Sequence, residues 1–366
     1  MPYDRLATIG DGTMIDLDDR EALASLDEQG KLALLEGFPD QCAEALRLGE
    51  EMALPGGLRE VERIVTTGMG GSGIAGDLLA RLVELPVTAH RGYGLPRVDR
   101  ETLVIGISYS GDTEETLSSV SLAIQQGAKL VCVSSGGELT RLARERKLPL
   151  IRVPGGLQPR AAVGYLLLPL VGLLSRAGLS KLGEELSALP GALAALRSNW
   201  AGAVPLERNR AKQLAQGLYS KIPLIYGVEG TTDVAALRWK TEINEDSKQP
   251  AFWNAVPELC HNEVVALERA ELLPQAKVIL LRSEHDHPRN TRRIEILAGL
   301  LAERGIEHEE VRAEGKGKLA QLLGLVYLGD FVSFYLAMLN GVDPTPVELI
   351  AEFKRRLGPA TPGGPR

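Results

Sequence analysis

Two segments of this chain each follow an apolar, β-type run and open a helical pattern, and both are rich in small hydrogen-bond donors. The first is residues 68–73 (GMGGSG), after the run 61–65, and the second is residues 108–113 (SYSGDT), after the run 103–107. A helix N-terminus offers free backbone N–H groups and a positive dipole, so each segment predicts an anion site, with phosphate favoured. Neither segment has the Lys-Ser/Thr ending of a nucleotide P-loop, which favours a phosphorylated small molecule over ATP.

Strands and helices alternate through most of the chain, which predicts an α/β protein whose parallel sheet is covered on both faces. The first series of predicted strands is 61–66, 86–90, 102–108, 129–134 and 150–153, with helices at 74–85, 114–126 and 139–146. The pattern restarts with strands at 222–226, 251–253, 277–282 and 307–311 and helices at 233–244, 291–304 and 320–340. We interpret the second series as a degenerate copy of the first.

Two prolines shape the predicted helices between the series. Pro190 is expected to break or kink the chain between a helix at 182–189 and another at 191–197, because proline lacks the N–H that a helix interior needs. Pro169 is expected to fall in the first turn of a helix at 166–177, where that N–H is not required.

Composition narrows the class of protein. A net charge of −7 argues against a nucleic-acid or anionic-membrane partner. The longest apolar stretch, 161–174, is too short and too broken to span a bilayer, and the N-terminus lacks a signal-peptide pattern, so a cytoplasmic protein is expected. Residues 14–54 predict acidic amphipathic helices, and the Pro/Gly-rich tail 358–366 predicts disorder. The cysteines show no metal-binding spacing and are expected to be reduced and unpaired: Cys42, Cys132 and Cys260.

The glycine segment leaves two alternatives to phosphate binding. Gly68, Gly70 and Gly73 match the dinucleotide pattern GxGxxG, but the second predicted strand ends in His90-Arg91 without the acid that takes a ribose hydroxyl. A purely structural glycine turn is the other alternative. Ser72, facing a second donor segment, favours phosphate.

The second segment carries three hydroxyl groups around one turn. Ser108, Ser110 and Thr113 can all donate hydrogen bonds without adding positive charge. The alternative is helix capping, because an Asp-Thr pair before two glutamates resembles a capping box. Three hydroxyls exceed what a cap requires, so we favour a ligand.

Three other polar positions have no assigned chemistry from spacing alone. Residues 238–248 carry mixed charges, for which a solvated helix face is the simple interpretation. His261 lies beside carboxylates and an amide, and a lone histidine usually has a structural role. Arg160, in a loop after the strand 150–153, is equally well explained as surface charge. Spacing does not show that Glu245 and His261 meet.

Five motifs, taken in order, resemble the bifunctional phosphoglucose/phosphomannose isomerases of the sugar-isomerase (SIS) superfamily. They are GMGGSGIAGDLL, SYSGDTEET, PRAAVGY, WKTEINEDSK and, with its histidine sixteen residues after Glu245, HNE. The resemblance covers about residues 60 to 355. It implies tandem SIS domains, each a flavodoxin-like parallel sheet flanked by helices, in a homodimer whose active site is shared between subunits. We divide the chain into a helical segment 1–54, a first SIS domain 55–197 with the phosphate loops, a second SIS domain 207–357 with the catalytic base, and the tail 358–366.

The resemblance also implies roles for individual residues. The phosphate-binding positions of the family fall on Gly71, Ser72, Ser108, Ser110 and Thr113. The catalytic positions fall on Glu245 as the base, His261 as the ring-opening residue from the neighbouring subunit, Arg160 as the cation that steadies the enediolate, and Lys354 near the sugar ring. The family motif usually has Asn after the base, whereas Asp246 here either raises the pKa of Glu245 or points to solvent.

The function implied is aldose–ketose isomerisation of glucose 6-phosphate or mannose 6-phosphate with fructose 6-phosphate, with no metal or redox cofactor required. A sugar-phosphate sensor would keep the hydroxyl loops but would have no use for Glu245, His261 and Arg160. An amidotransferase of the same superfamily needs an N-terminal cysteine, which Met1-Pro2-Tyr3 does not supply. An isomerase restricted to mannose 6-phosphate or to another ketose phosphate stays open.

Overall fold

The computed structural model describes residues 15–358. The chain divides into two compact units, which we call the first-sheet unit (residues 37–191 with those from 349 onward) and the second-sheet unit (up to residue 36 with 192–348). The predicted disordered tail lies, from residue 359, outside the described residues. The domain limits derived from the sequence stay a prediction.

Thirteen α-helices are present among residues 15–358. They are α1 (Arg20–Leu26), α2 (Lys31–Glu36), α3 (Phe38–Glu51), α4 (Gly70–Leu82), α5 (Glu114–Gln125), α6 (Gly137–Glu145), α7 (Val163–Arg176), α8 (Gly183–Trp200), α9 (Arg210–Leu218), α10 (Asp233–Glu245), α11 (Pro288–Glu303), α12 (Lys318–Leu339) and α13 (Glu348–Leu357). Sequence analysis missed α9 and α13.

The first-sheet unit contains a parallel sheet of five strands. These strands are β1 (Arg63–Thr67), β2 (Val87–His90), β3 (Thr102–Ile107), β4 (Lys129–Ser134) and β5 (Leu150–Arg152). Their order is β2-β1-β3-β4-β5, which is the flavodoxin-like order. All six residues of β3 are buried, as expected for a strand covered by helices on both faces.

The second-sheet unit contains a parallel sheet of four strands. These are β6 (Ile222–Val228), β7 (Phe252–Val256), β8 (Ala276–Arg282) and β9 (Glu307–Arg312). Their order, β7-β6-β8-β9, repeats the order of the first four strands of the other sheet. The predicted fold class, two parallel sheets flanked by helices, is therefore confirmed, and the second series has the topology expected of a copy.

Of the two outcomes predicted at Pro190, the break was wrong and the kink stays a prediction. Helix α8 runs through this residue without interruption, and buried leucines lie along it at helical spacing: Leu186, Leu189, Leu193 and Leu196. A proline inside a helix costs about 3 kcal/mol, whereas burying one leucine contributes about 1.5–3 kcal/mol. Burial of the continuous leucine stripe outweighs the lost hydrogen bond.

Pro169 also lies inside a helix rather than in its first turn. Helix α7 begins at Val163, three residues earlier than predicted. A Cβ on Gly49 of α3 would lie 2.7 Å from the carbonyl oxygen of Pro169, so the two helix backbones pass close together at this point. The buried packing of α3 on α7 makes the proline tolerable in this position.

Within residues 15–358, one helix, α12, is long and apolar enough to cross a membrane, but the structure buries its whole apolar window in the protein. Helix α12 is longer than residues 161–174, which sequence analysis identified as the longest apolar stretch. Within the second-sheet unit its aromatic side chains pack against Trp200, with Tyr327 and Phe331 at ring distances of 5.8 and 6.3 Å. Helix α12 is a core helix.

Candidate functional site

The glycine segment forms the start of helix α4 rather than a loop before it. Strand β1 ends at Thr67, Met69 is the N-cap residue, and the helix begins at Gly70, four residues earlier than predicted. Ser72 therefore lies in the first turn, and it is buried. The N–H groups of this turn precede the regular helical hydrogen bonds, which is the arrangement that helix-terminus anion sites use.

A close backbone contact explains the glycine at position 71. A Cβ there would lie 2.7 Å from the carbonyl oxygen of Pro159 and 3.1 Å from the Cα of Arg160. The absence of a side chain on Gly71 lets the turn that carries Arg160 pack directly on the start of α4. The structure thus brings two of the predicted site residues together.

The hydroxyl segment makes its own hydrogen-bond network after β3. The hydroxyl groups of Ser108 and Thr113 lie 2.9 Å apart, and the Gly111 N–H donates to Ser108 Oγ at 3.1 Å. Thr113 is the N-cap residue of α5, but among the described residues its side chain caps none of the helix N–H groups. The capping interpretation of the Thr113 hydroxyl was therefore wrong. The third hydroxyl group, that of Ser110, is exposed and accepts a hydrogen bond from the Asp112 N–H at 3.3 Å.

Tyr109 joins the two segments, and sequence analysis gave it no role. Its N–H donates to Ser72 Oγ at 3.2 Å. Its phenol donates to the Pro154 carbonyl at 2.9 Å and accepts from the Leu157 N–H at 3.0 Å. Burial raises the pKa of the Tyr109 phenol. Tyr109 therefore links the start of α4 and the hydroxyl segment to the loop before Arg160. The only sign of this role in the sequence was the presence of an aromatic residue among serines.

Arg160 is buried, so the interpretation as surface charge was wrong. Its side chain is 4% exposed on the short 3-10 helix Pro159–Ala162. Gln41 of α3 holds this turn from the other side: its amide donates to the Ala161 carbonyl at 2.8 Å and accepts from the Gly164 N–H at 3.0 Å. A buried guanidinium in a fixed turn is suited to stabilising negative charge.

In the second-sheet unit, Glu245 is the last residue of α10 and is half-buried. Asp246 follows it as the C-cap residue and is fully buried, with an ion pair of 3.0 Å to Lys31 and a hydrogen bond of 3.1 Å from Ser333. The suggestion that Asp246 points to solvent was wrong. The Asp246 carboxylate, which follows Glu245 in the chain, is therefore paired with the Lys31 ammonium.

The charged segment 238–248 is not a solvated face. Arg238 and Glu242 are 1% exposed and lie 2.8 Å apart, and Arg238 also contacts Asp330 of α12 at 3.0 Å. Burial raises the pKa of Glu242 well above its usual range, and the neighbouring Asp246 adds to the shift. Lys31 faces Asp246 and Arg238 faces Asp330, so each of these buried carboxylates has a cation beside it.

His261 and Lys354 are both exposed. His261 ends the 3-10 helix Glu258–His261. Two residues further on, the Glu263 carboxylate accepts hydrogen bonds from the Tyr226 phenol and the Asn254 amide, which ties this segment to β6 and β7. Lys354 lies in the last turn of α13. The catalytic roles of both side chains stay predictions.

In the second sheet, two loops occupy the same topological positions as the two phosphate segments. A carboxylate of the protein itself accepts hydrogen bonds from both loops. Asp286 accepts hydrogen bonds from the Thr231 hydroxyl at 2.5 Å and from the Ser283 N–H at 2.9 Å. Thr231 follows β6, and Ser283 is the first residue after β8, as Ser108 is after β3. Because an internal anion already uses these donors, the first sheet is the better candidate for binding a phosphate.

Two family models match different parts of the chain. Residues 57–151 match the SIS domain, and residues 207–357 match the bacterial phosphoglucose isomerase C-terminal SIS domain. Two solved structures share the fold. A glucose-6-phosphate isomerase-like protein from Thermus thermophilus has a TM-score of 0.61 and 22% identity, covering 92% of this chain and 100% of that one. The C-terminal domain of glucosamine-fructose-6-phosphate aminotransferase from Francisella tularensis has a TM-score of 0.67 and 15% identity, covering 86% and 97%.

Curated relatives are closer in sequence. A bifunctional phosphoglucose/phosphomannose isomerase from Caldicellulosiruptor bescii is 40% identical over 327 residues, which is 87% of this chain and 96% of the relative. A protein of the same name from Aquifex aeolicus is 38% identical over 300 residues, covering 80% and 90%. The chain belongs to the bifunctional phosphoglucose/phosphomannose isomerase family.

Proposed function

We propose that this protein is a metal-independent isomerase that interconverts glucose 6-phosphate or mannose 6-phosphate with fructose 6-phosphate through a cis-enediolate. One observation carries the proposal: the glycine turn, the hydroxyl segment and the buried Arg160 turn are joined by Gly71 and Tyr109 into one rigid arrangement. This arrangement occurs in a chain 40% identical to a curated enzyme of that name.

The phosphate group is bound by the first-sheet unit in this proposal. The ligands are backbone N–H groups and hydroxyls at the starts of α4 and α5: Gly71, Ser72, Ser108, Ser110 and Thr113. Binding a phosphate far from the reacting carbons lets its interaction energy orient a flexible sugar for reaction.

Four side chains perform the chemistry. His261 of the partner subunit moves a proton between the ring oxygen and the anomeric hydroxyl, opening the ring. Glu245 then moves a proton between C1 and C2, and the fixed charge of Arg160 stabilises the enediolate. Lys354 lies near the sugar ring. The exposure of His261 on its own chain is consistent with its use by a second copy in a homodimer.

The bifunctional activity has a simple physical basis. Glucose 6-phosphate and mannose 6-phosphate differ only in configuration at C2, and deprotonation at C2 converts both to the same enediolate. An enzyme that lets the C2–C3 bond rotate can present either face of C2 to the base. The enzyme then acts on whichever of the two aldose phosphates is supplied. We place this activity in the cytoplasm.

The proposal is tested by supplying fructose 6-phosphate to the purified protein with EDTA present and following both aldose products. Formation of glucose 6-phosphate and mannose 6-phosphate is the expected result. One product alone would restrict the substrate. Binding of fructose 6-phosphate with no turnover would replace the isomerase with the sugar-phosphate sensor.

A double substitution in the hydroxyl segment tests the phosphate site. Ser110→Ala with Thr113→Ala removes two donors, and each hydrogen bond to a charged group contributes about 1.5–3 kcal/mol. We expect the KM for fructose 6-phosphate to rise by about tenfold or more, with a smaller change in kcat, in steady-state assays. Ser118→Ala on α5 is the control for altering a hydroxyl on this helix, and it should leave KM unchanged. An unchanged KM in the double variant would place the phosphate elsewhere.

A further inference from the structure

Lys31 is a buried cation directed at the end of the helix that carries Glu245. Its side chain is 2% exposed, and its ammonium lies 3.0 Å from Asp246 and 3.7 Å from Glu242. The start of α2 is fixed by Asp27, whose carboxylate accepts from the N–H groups of Lys31 at 2.6 Å and Leu32 at 2.9 Å. The backbone that presents the ammonium is therefore held in place.

The C-terminal end of α10 is held from three sides within the second-sheet unit. The Ser333 hydroxyl donates to Asp246, and the Ser247 hydroxyl donates to the Ser333 carbonyl at 2.7 Å. The Lys248 ammonium donates to the Glu245 carbonyl at 2.8 Å. Lys31 supplies the positive charge that lets a carboxylate remain buried at this point.

We propose that Lys31 is a positioning residue for proton transfer: by pairing with buried Asp246 it fixes the last turn of α10 and so the carboxylate of Glu245. The inference rests on the proposed role of Glu245 as the base. Removing the Lys31 charge would leave the buried Asp246 carboxylate less well neutralised and drive it toward water, and moving Asp246 moves the adjacent Glu245. The N-terminal helices, which have no ligand-binding motif, thereby take part in catalysis.

Lys31→Met tests the inference by removing the charge while keeping a long apolar side chain. We expect kcat per folded molecule to fall by about tenfold or more, since a displacement of about 1 Å at a catalytic group costs on the order of 100-fold. The KM for fructose 6-phosphate should change by less than about threefold, because the proposed phosphate site is built on other elements. If Lys31→Met does not fold, Lys31→Gln keeps a neutral donor toward Asp246 and carries the same test.

A second lysine provides the matched control. Lys212 is also fully buried, and it pairs with Asp18 at 2.8 Å and with the Gly202 carbonyl at 3.0 Å. These two contacts hold the N-terminal segment, not the end of α10. Lys212→Met should lower the melting temperature but leave kcat per folded molecule within about twofold of wild type.

Adding Asp246→Asn to Lys31→Met removes both charges of the pair. The neutral amide can stay buried against the Ser333 hydroxyl, so kcat should return to within about threefold of wild type. The inference would be overturned if Lys31→Met and Lys212→Met both had the kcat of wild type. It would also be overturned if adding Asp246→Asn to Lys31→Met did not restore kcat. If Glu245→Gln retains full turnover, the proposed base itself fails and the inference falls with it. If Glu245→Gln is inactive while Lys31→Met is normal, only the inference about Lys31 fails.

Discussion

Replacing Glu245 by glutamine is expected to lower kcat for fructose 6-phosphate isomerisation by at least about 100-fold while leaving sugar-phosphate affinity nearly unchanged. The amide keeps the size and hydrogen-bonding capacity of the side chain at the end of α10, but it cannot accept the proton that fructose 6-phosphate loses from C1. The phosphate contacts proposed at the starts of α4 and α5 are untouched, so binding should persist.

Three measurements together test this expectation. Steady-state turnover gives kcat, calorimetric titration with fructose 6-phosphate gives affinity, and uptake of deuterium from heavy water at C1 or C2 reports proton transfer directly. Glu303→Gln is the matched control, because Glu303 is likewise the last residue of a helix, α11, but is exposed. Turnover and deuterium uptake at wild-type levels in Glu245→Gln would remove Glu245 from the role of base.

The fold was predictable because its signals are local. Apolar runs of strand length alternate with helical patterns, and parallel strands joined through helices allow few topologies. Strand β4 has the predicted limits, and β3 differs by one residue. The donor-rich segments were also visible, because a helix start after a parallel strand is a recognisable anion-binding arrangement.

The supports of the candidate site were not predictable, because they depend on contacts between residues distant in the chain. Gln41 lies 120 residues before Ala161, to which it donates, and Lys31 lies more than 200 residues before Asp246. Periodicity within a short window carries no information about such pairs. The predicted break at Pro190 was wrong for a different reason, because burial of the leucines of α8 outweighs the cost of a local helix breaker.

The start of α4 was misplaced for a related reason. Four glycines between residues 68 and 73 have low helix propensity, which favoured a loop up to Ile74. Close packing decides the outcome instead, because a Cβ on Gly71, in the first turn of α4, would lie 2.7 Å from the Pro159 carbonyl oxygen. Backbone contacts of this kind require glycine and at the same time hold the segment as a helical turn.

Replacing Gly71 by alanine is expected to lower kcat/KM for fructose 6-phosphate by about 10- to 100-fold. The new Cβ would lie 2.7 Å from the Pro159 carbonyl oxygen and 3.1 Å from the Arg160 Cα, both of them backbone atoms that cannot rotate away. Overpacking of this kind typically costs about 1–3 kcal/mol, and relief requires the Arg160 turn to move away from the start of α4. Such movement would weaken phosphate binding and misplace the cation proposed to stabilise the enediolate.

Gly172→Ala on α7 separates this local effect from a general effect of replacing glycine. A Cβ on Gly172 meets nothing within 4 Å, and alanine is favoured over glycine inside a helix by about 0.5–1 kcal/mol. The control should therefore keep wild-type kcat/KM and gain slightly in melting temperature, whereas Gly71→Ala should lose activity beyond any loss of folded protein measured by circular dichroism. Wild-type kcat/KM in Gly71→Ala would mean that the contact between the glycine turn and the Arg160 turn is not needed for catalysis. The proposed function would then lose the observation that carries it, which is the joining of these turns with the hydroxyl segment.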